Sequence, residues 1–142
     1  GLGKLIDSGS IRFTSLQYLT LKNIELKSWD KEEDELKVEL GNYILHSPDA
    51  IPLDEKDKQT LEEIMTNDPL SLIEYWSIDP DYDGETFSSI WQDYRQNTEN
   101  DGDALHCVYS ATLRVSKKAE RTVCVKAVDV FGLESIVIKK LK

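Results

Sequence analysis

Apolar and polar residues alternate with period two along most of this chain, the spacing of strands that bury one face. In LQYLTLKNIELKSW (16–29), Leu19 and Leu21, then Ile24 and Leu26, alternate with polar positions, and the phase slips near Asn23. The charged turn DKEEDE (30–35) follows, and then LKVELGNYIL (36–45), where Leu36, Val38 and Leu40 point one way; together the runs predict a hairpin. A proline-rich crossing, HSPDAIPLDEKD (46–57), leads into DEKDKQTLEEIM. There Leu61, Ile64 and Met65 take helical spacing, with Asp54 or Asp57 as N-cap and a stop between Asn67 and Pro69.

Two further runs, SLIEYWSID (71–79) and TFSSIWQDYR (86–95), are rich in aromatic and β-branched residues and are separated by Asp83-Gly84. The alternation on both sides predicts a hairpin closed by a type I′ turn there, with Pro80 at an edge or strand end. Residues 96–104 read as a mobile polar loop. Three strands end the chain: LHCVYSATLRV (105–115), RTVCVKAVDV (121–130) and ESIVIKKL (134–141). SKKAE joins the first two, and FGL joins the last two, where Gly132 suits a tight turn. About seven antiparallel strands with short turns and one short helix predict a mainly β chain, an immunoglobulin-like or fibronectin-like sandwich.

At 142 residues the chain is one domain's worth, read as 1–142 in a single unit. It opens without methionine and without a charged-then-apolar leader, which reads as a fragment of a longer protein. No apolar run reaches the ~20 residues of a membrane span. Cys107 and Cys124 lie in apolar runs without CxxC or Cys/His spacing, so metal binding by them is disfavoured. If the 105–115 and 121–130 runs pair through the turn near 116–121, the two cysteines are not cross-strand neighbours. Free buried thiols and a cytoplasmic setting follow, with a disulfide between unpaired strands as the alternative.

Formal charge is −10, unevenly spread. Residues 1–29 carry four basic and two acidic side chains, residues 30–105 five and 22, and residues 106–142 eight and three. Nonspecific attraction to a phosphate backbone should therefore be weak overall. A basic face is open only to the last third, through Arg114, Lys117, Lys118, Arg121, Lys126, Lys139 and Lys140, all of which also suit solvated strand and turn positions.

The stretch SIDPDYDGETF (77–87) invites chemistry. A calcium loop of the EF-hand kind needs oxygen ligands at positions 1, 3 and 5, Gly at 6 and a bidentate Glu at 12. Asp79, Asp81, Asp83 and Gly84 fit, but the last position is Ile90 and no helical pattern flanks the loop. These three aspartates are thus a weak calcium candidate. DPDY also resembles the DPPY motif of amino-group DNA methyltransferases, but Asp81 replaces the proline and no strand-glycine-turn for a methyl donor is present. The hairpin accounts for the stretch better than either. His46 and His106 have no nucleophile at useful spacing. Trp76, Trp91, Tyr75, Tyr82 and Tyr94 suit a sandwich core, or else a platform for bases or sugars. Arg95 is placed to clasp Asp79, Asp81 or Asp93.

Four blocks occur in order: LIDSGSIRF, SPDAIPLDE, IEYWSIDPDYDGETFSSIWQDYR and VCVKAVDVFGLESIVI. Together they resemble the C-terminal region of bacterial and archaeal adenine-specific DNA methylases of restriction–modification systems, over nearly the whole chain. The most specific parts are Tyr75-Trp76, Asp79 to Glu85, Trp91 to Arg95 and Asp129 to Gly132. Pro80 departs from that pattern, where an aromatic is usual, and Leu133-Glu134 stands in place of an Asn-Asp-like pair. The resemblance implies a non-catalytic accessory domain that docks to the catalytic core, a partner restriction subunit or DNA. It would need no cofactor itself, S-adenosylmethionine being implied for the parent. The residues singled out for interaction are Trp76, Tyr82, Trp91, Arg95, Lys117, Lys118 and Arg121. The alternative of a different class is an extracellular immunoglobulin-like binding module, calcium-stabilised or sugar-binding.

Overall fold

A computed structural model of the chain describes residues 17–45, 51–96 and 106–142. His46, the first of the four blocks and the 96–104 loop beyond Gln96 lie outside these residues.

The first two strands, β1 (Gln17–Ser28) and β2 (Glu33–Leu45), form the expected antiparallel hairpin. Its turn is held by Asp30, whose Oδ1 accepts the N–H groups of Glu32 (2.8 Å) and Glu33 (2.7 Å). The phase slip near Asn23 is a bulge: the register shifts on both sides of Leu21. Gly41 faces that bulge, and a Cβ there would stand 2.9 Å from the Lys22 nitrogen.

Helix α1 (Glu55–Asn67) starts as expected, with Asp54 accepting the Asp57 N–H at 2.8 Å. It buries Leu61 and packs Ile64 and Met65 against the core rim. A single 3-10 turn (Pro69–Leu72) buries Leu70 and Leu72 and delivers the chain to β3 (Ile73–Asp79). The remaining strands are β4 (Trp91–Tyr94), β5 (Ser110–Ser116), β6 (Arg121–Asp129) and β7 (Glu134–Leu141).

Strand order is β1-β2-β5 in one sheet and β4-β3-β6-β7 in the other, and every pairing is antiparallel. This is the immunoglobulin-like sandwich that the period-two pattern predicts, with a wholly buried Trp76 on its third strand. Leu36 and Val38 of one sheet and Ile73, Ile78, Val123 and Val125 of the other fill the space between the layers.

Two expected local pairings differ. β5 does not pair with β6 through residues 116–121; it pairs with β2, and β6 pairs with β3 and β7. The SKKAE segment is therefore a crossover between sheets. Short connections read alike in sequence whether they close a hairpin or change layer. β3 and β4 do pair, but Ile78 stands opposite Trp91, so residues 80–90 form a loop rather than a two-residue turn. Gly84 has φ +94°, whereas Asp83 is not among the positive-φ residues, and a type I′ turn needs both.

Candidate functional site

The three aspartates of the calcium candidate do not converge on a common centre, because each is engaged by its own partners. Asp79 is 3% exposed and accepts the N–H of Asp81 (3.0 Å) and of Ser88 (2.8 Å), which folds loop 80–90 back on its own strand. Asp81 meets Arg121 Nη1 at 2.9 Å and Lys118 Nζ at 3.0 Å. Asp83 accepts the N–H groups of Glu85 and Thr86, both at 2.8 Å, and these bonds hold its carboxyl below the usual range. Among the described residues no three His, Cys, Asp or Glu side chains gather as a metal-holding group.

Two further aspartates of the quoted blocks, Asp93 and Asp129, tie the two layers together. Asp93 Oδ2 accepts the Val108 N–H at 2.7 Å, and Trp76 Nε1 donates to the Val108 carbonyl at 2.8 Å. Trp76 and Asp93 are cross-strand partners, so the pair grips both backbone groups of one residue in the segment that leads into β5. Asp129 Oδ1 accepts from Phe131 and Leu133 N–H (2.9 Å each), closing the β6–β7 turn around Gly132, whose φ is +85°. Its Oδ2 accepts the Tyr43 hydroxyl at 2.6 Å, a bond from one sheet to the other. Burial, then this bond, raises the Tyr43 hydroxyl well above its ordinary pKa. The sequence offers Asp93 only as a clasp for Arg95 and gives Tyr43 and Asp129 no structural role, because burial is not written in an aspartate or a tyrosine. A signal existed in Asp129-Val-Phe-Gly132, a side-chain acceptor three residues ahead of a turn glycine.

The residues singled out for interaction separate into two groups. Trp76 is fully buried, which corrects its assignment as a contact residue; Trp91 packs half-buried against it, ring centroids 4.6 Å apart. Arg121 is 1% exposed at its side chain and donates to the Pro80 and Ser116 carbonyls as well as to Asp81, so its charge is spent inside the fold. Lys117 binds Asp34 and Ser28 Oγ, Lys118 binds Asp81, and Arg114 lies 3.5 Å over the Trp29 ring. Arg95 bonds the carbonyls of Ser71 and Ile73 and pairs with Glu74 at 3.3 Å. Tyr82 sits on loop 80–90, with its N–H bonded to the Thr122 carbonyl. His106 stacks on Tyr109.

A groove of about 370 Å3 lies open to solvent on the outer face of the four-stranded sheet. Tyr75 and Tyr94, cross-strand neighbours, form one wall, and Phe87 and Ser89 of loop 80–90 form the other. Ser77, Gln92 and Lys126 make the floor, Ser77 standing opposite both other residues on its two neighbouring strands. Lys126 Nζ lies 5.2 Å over the Phe87 ring and 3.2 Å from Glu134. Ser89 Oγ donates to the Gln92 amide oxygen at 3.3 Å. Aromatic walls over an amide, a hydroxyl and an ammonium suit binding. The sequence names Tyr75 and Tyr94 as aromatic and Lys126 as a basic-face position but does not group them with Phe87 and Gln92, since only the folded loop brings them together.

Both cysteines are buried and free. Cys107 Sγ lies 3.4 Å from the Glu74 carbonyl, while Cys124 stands opposite Asp79, five residues along β3. At about 3.3 Å per residue that is roughly 16 Å, beyond disulfide reach. Burial, then the Asp93 charge, pushes the Cys107 thiol up to about 12. No helix among the described residues is long and apolar enough to cross a membrane. Comparison with protein-family models, with curated proteins and with solved structures gave no match.

Proposed function

We propose that this sandwich is a non-catalytic accessory domain of a site-specific adenine DNA methyltransferase and that it works by docking to protein through the groove face of its four-stranded sheet. One observation carries the reading. Asp79, Asp81, Asp83, Asp93 and Asp129, the aspartates of the last two blocks that resemble the methylase C-terminal region, are each bound by this chain's own backbone or cations. Residues that look chemical in sequence thus serve the fold, while the same β3–β4 block lines an open aromatic groove. The net charge of −10, with most of the named cations paired to nearby acids, supports a protein partner over a phosphate backbone.

The test is methyl transfer to DNA by the parent enzyme with and without this domain, alongside Tyr94→Ala, whose side chain is on the groove rim. Loss of activity or assembly on deletion, reproduced in part by the rim variant at unchanged melting temperature, is expected. Unchanged rate, affinity and assembly would remove the proposal. A second reading draws on the groove's make-up, since aromatic walls over an amide and hydroxyls also suit a sugar ring. Saturable binding of an oligosaccharide by the isolated chain, lost in Tyr94→Ala, would favour that reading.

A further inference from the structure

We propose that β7 is a self-association edge, through which two copies of this chain pair antiparallel and join their four-stranded sheets. β7 is the last strand of its sheet, with β6 on one side. Ile136 and Ile138 on its outer face are 53% and 51% exposed, an apolar pair on a strand whose second edge no other strand of the described residues takes up. Such a row of free backbone groups is a template for another strand.

The direction of those groups follows from two bonds. The Leu133 carbonyl accepts from Asp129 on the β6 side, and the Glu134 carbonyl accepts from Gln17 Nε2 on the other. Alternation along a strand then turns the backbone N–H and C=O of Ile136, Ile138 and Lys140 toward the open edge.

The occupant follows from charge. Along the outer face β7 reads Glu134, Ile136, Ile138, Lys140: acid, apolar, apolar, base. Two such strands set antiparallel about Val137 place Ile136 opposite Ile138, and Glu134 opposite Lys140, in both halves. Ile136 and Ile138 form the hydrogen-bonded pairs of the ladder, while Glu134, whose carbonyl is held by Gln17, meets Lys140 through its side chain. A parallel arrangement would set each residue against its own kind, Glu against Glu and Lys against Lys. The strand is thus complementary to itself in one direction only, the requirement of a two-fold interface. Glu134 also holds Lys126 within its own chain, and its side chain, 48% exposed, remains reachable. With one short strand per copy the contact is small, so association should be concentration-dependent. The inference is independent of the methyltransferase reading.

Sedimentation velocity of the 142-residue chain over a concentration series, with Lys140→Glu, Glu134→Lys and their equimolar mixture, tests it. Lys140→Glu changes an exposed side chain and should keep the melting temperature of the unaltered chain; Glu134→Lys also removes the Lys126 ion pair, so a small drop in its melting temperature is expected and its association is read well below that temperature. The unaltered chain should dimerise, and each reversal alone should weaken the dimer roughly tenfold or more by setting like charges opposite in both halves. The mixture should recover association as a heterodimer, because antiparallel pairing then matches Glu with Lys at both ends. An unaltered chain that stays monomeric throughout, reversals without effect, or a mixture no tighter than its parts would each overturn the proposal.

Discussion

Tyr43 and Asp129 show how much of this fold rests on single buried polar atoms. A carboxylate 2% exposed is tolerable because three donors reach it, and one of those is the hydroxyl that crosses between sheets. Tyr43→Phe keeps the ring and removes that donor, so it should cost about 1.5–3 kcal/mol, read as a lower urea midpoint at unchanged slope. At Gly41 the constraint is space, since a methyl group would press on the backbone at Lys22, 2.9 Å away. Gly41→Ala should therefore destabilise by about 1–3 kcal/mol in the same measurement, with β1 shifting to relieve the contact. Neither residue stands out in sequence. A tyrosine in an alternating run and a glycine after a leucine become special only when the facing strand is known.

Among the elements, the helix and the β1–β2 hairpin are local objects, and their limits were legible. Asp54 caps the helix three residues before the bonded N–H of Asp57, and the slip at Asn23 appears as the bulge. Loop 80–90 and strand β5 are different. The Asp-Gly pair that suggests a hairpin tip does make a turn, but one nested in a longer loop that Asp79 pins to its own strand. The three aspartates are committed to separate partners and form no metal-holding group among the described residues, so a calcium response is not expected. Thermal melting with millimolar calcium or with chelator should give the same midpoint; a rise with calcium would mean the loop rearranges around the ion.

For the whole molecule, burial sets the response to alkali and to thiol reagents. Tyr43, Cys107, Tyr109 and Cys124 all titrate higher in the folded chain than in the unfolded one, first because burial disfavours their anions. The unfolded chain releases these protons earlier, so their contribution is complete below the ordinary values of 9.0 and 10.0. It is lost as pH climbs toward the folded values, about 12 for Cys107 and Tyr109. Stability should accordingly fall steadily above about pH 9, followed by denaturant midpoint against pH. On the acid side, Asp30 and Asp83 are lowered by backbone bonds, a contribution present above 3.8 and lost as pH drops below it. A thiol reagent at neutral pH should find both cysteines slow in the native chain and both fast after denaturation, since each is buried and free.

Neighbours along the chain suffice to set the period-two runs, the capped helix, the bulge and the class of fold. These are set by local sterics and by the need to bury one face of each strand. Contacts distant in sequence settle which strand β5 joins, that four of the five aspartates bind backbone N–H groups while Asp81 binds two cations, and that Phe87, Gln92 and Lys126 meet Tyr75 and Tyr94 in one groove. An aspartate carries the same letter whether it holds a metal, a base or a loop. Its role is set by which donors the fold brings within about 3 Å, and those lie elsewhere in the chain.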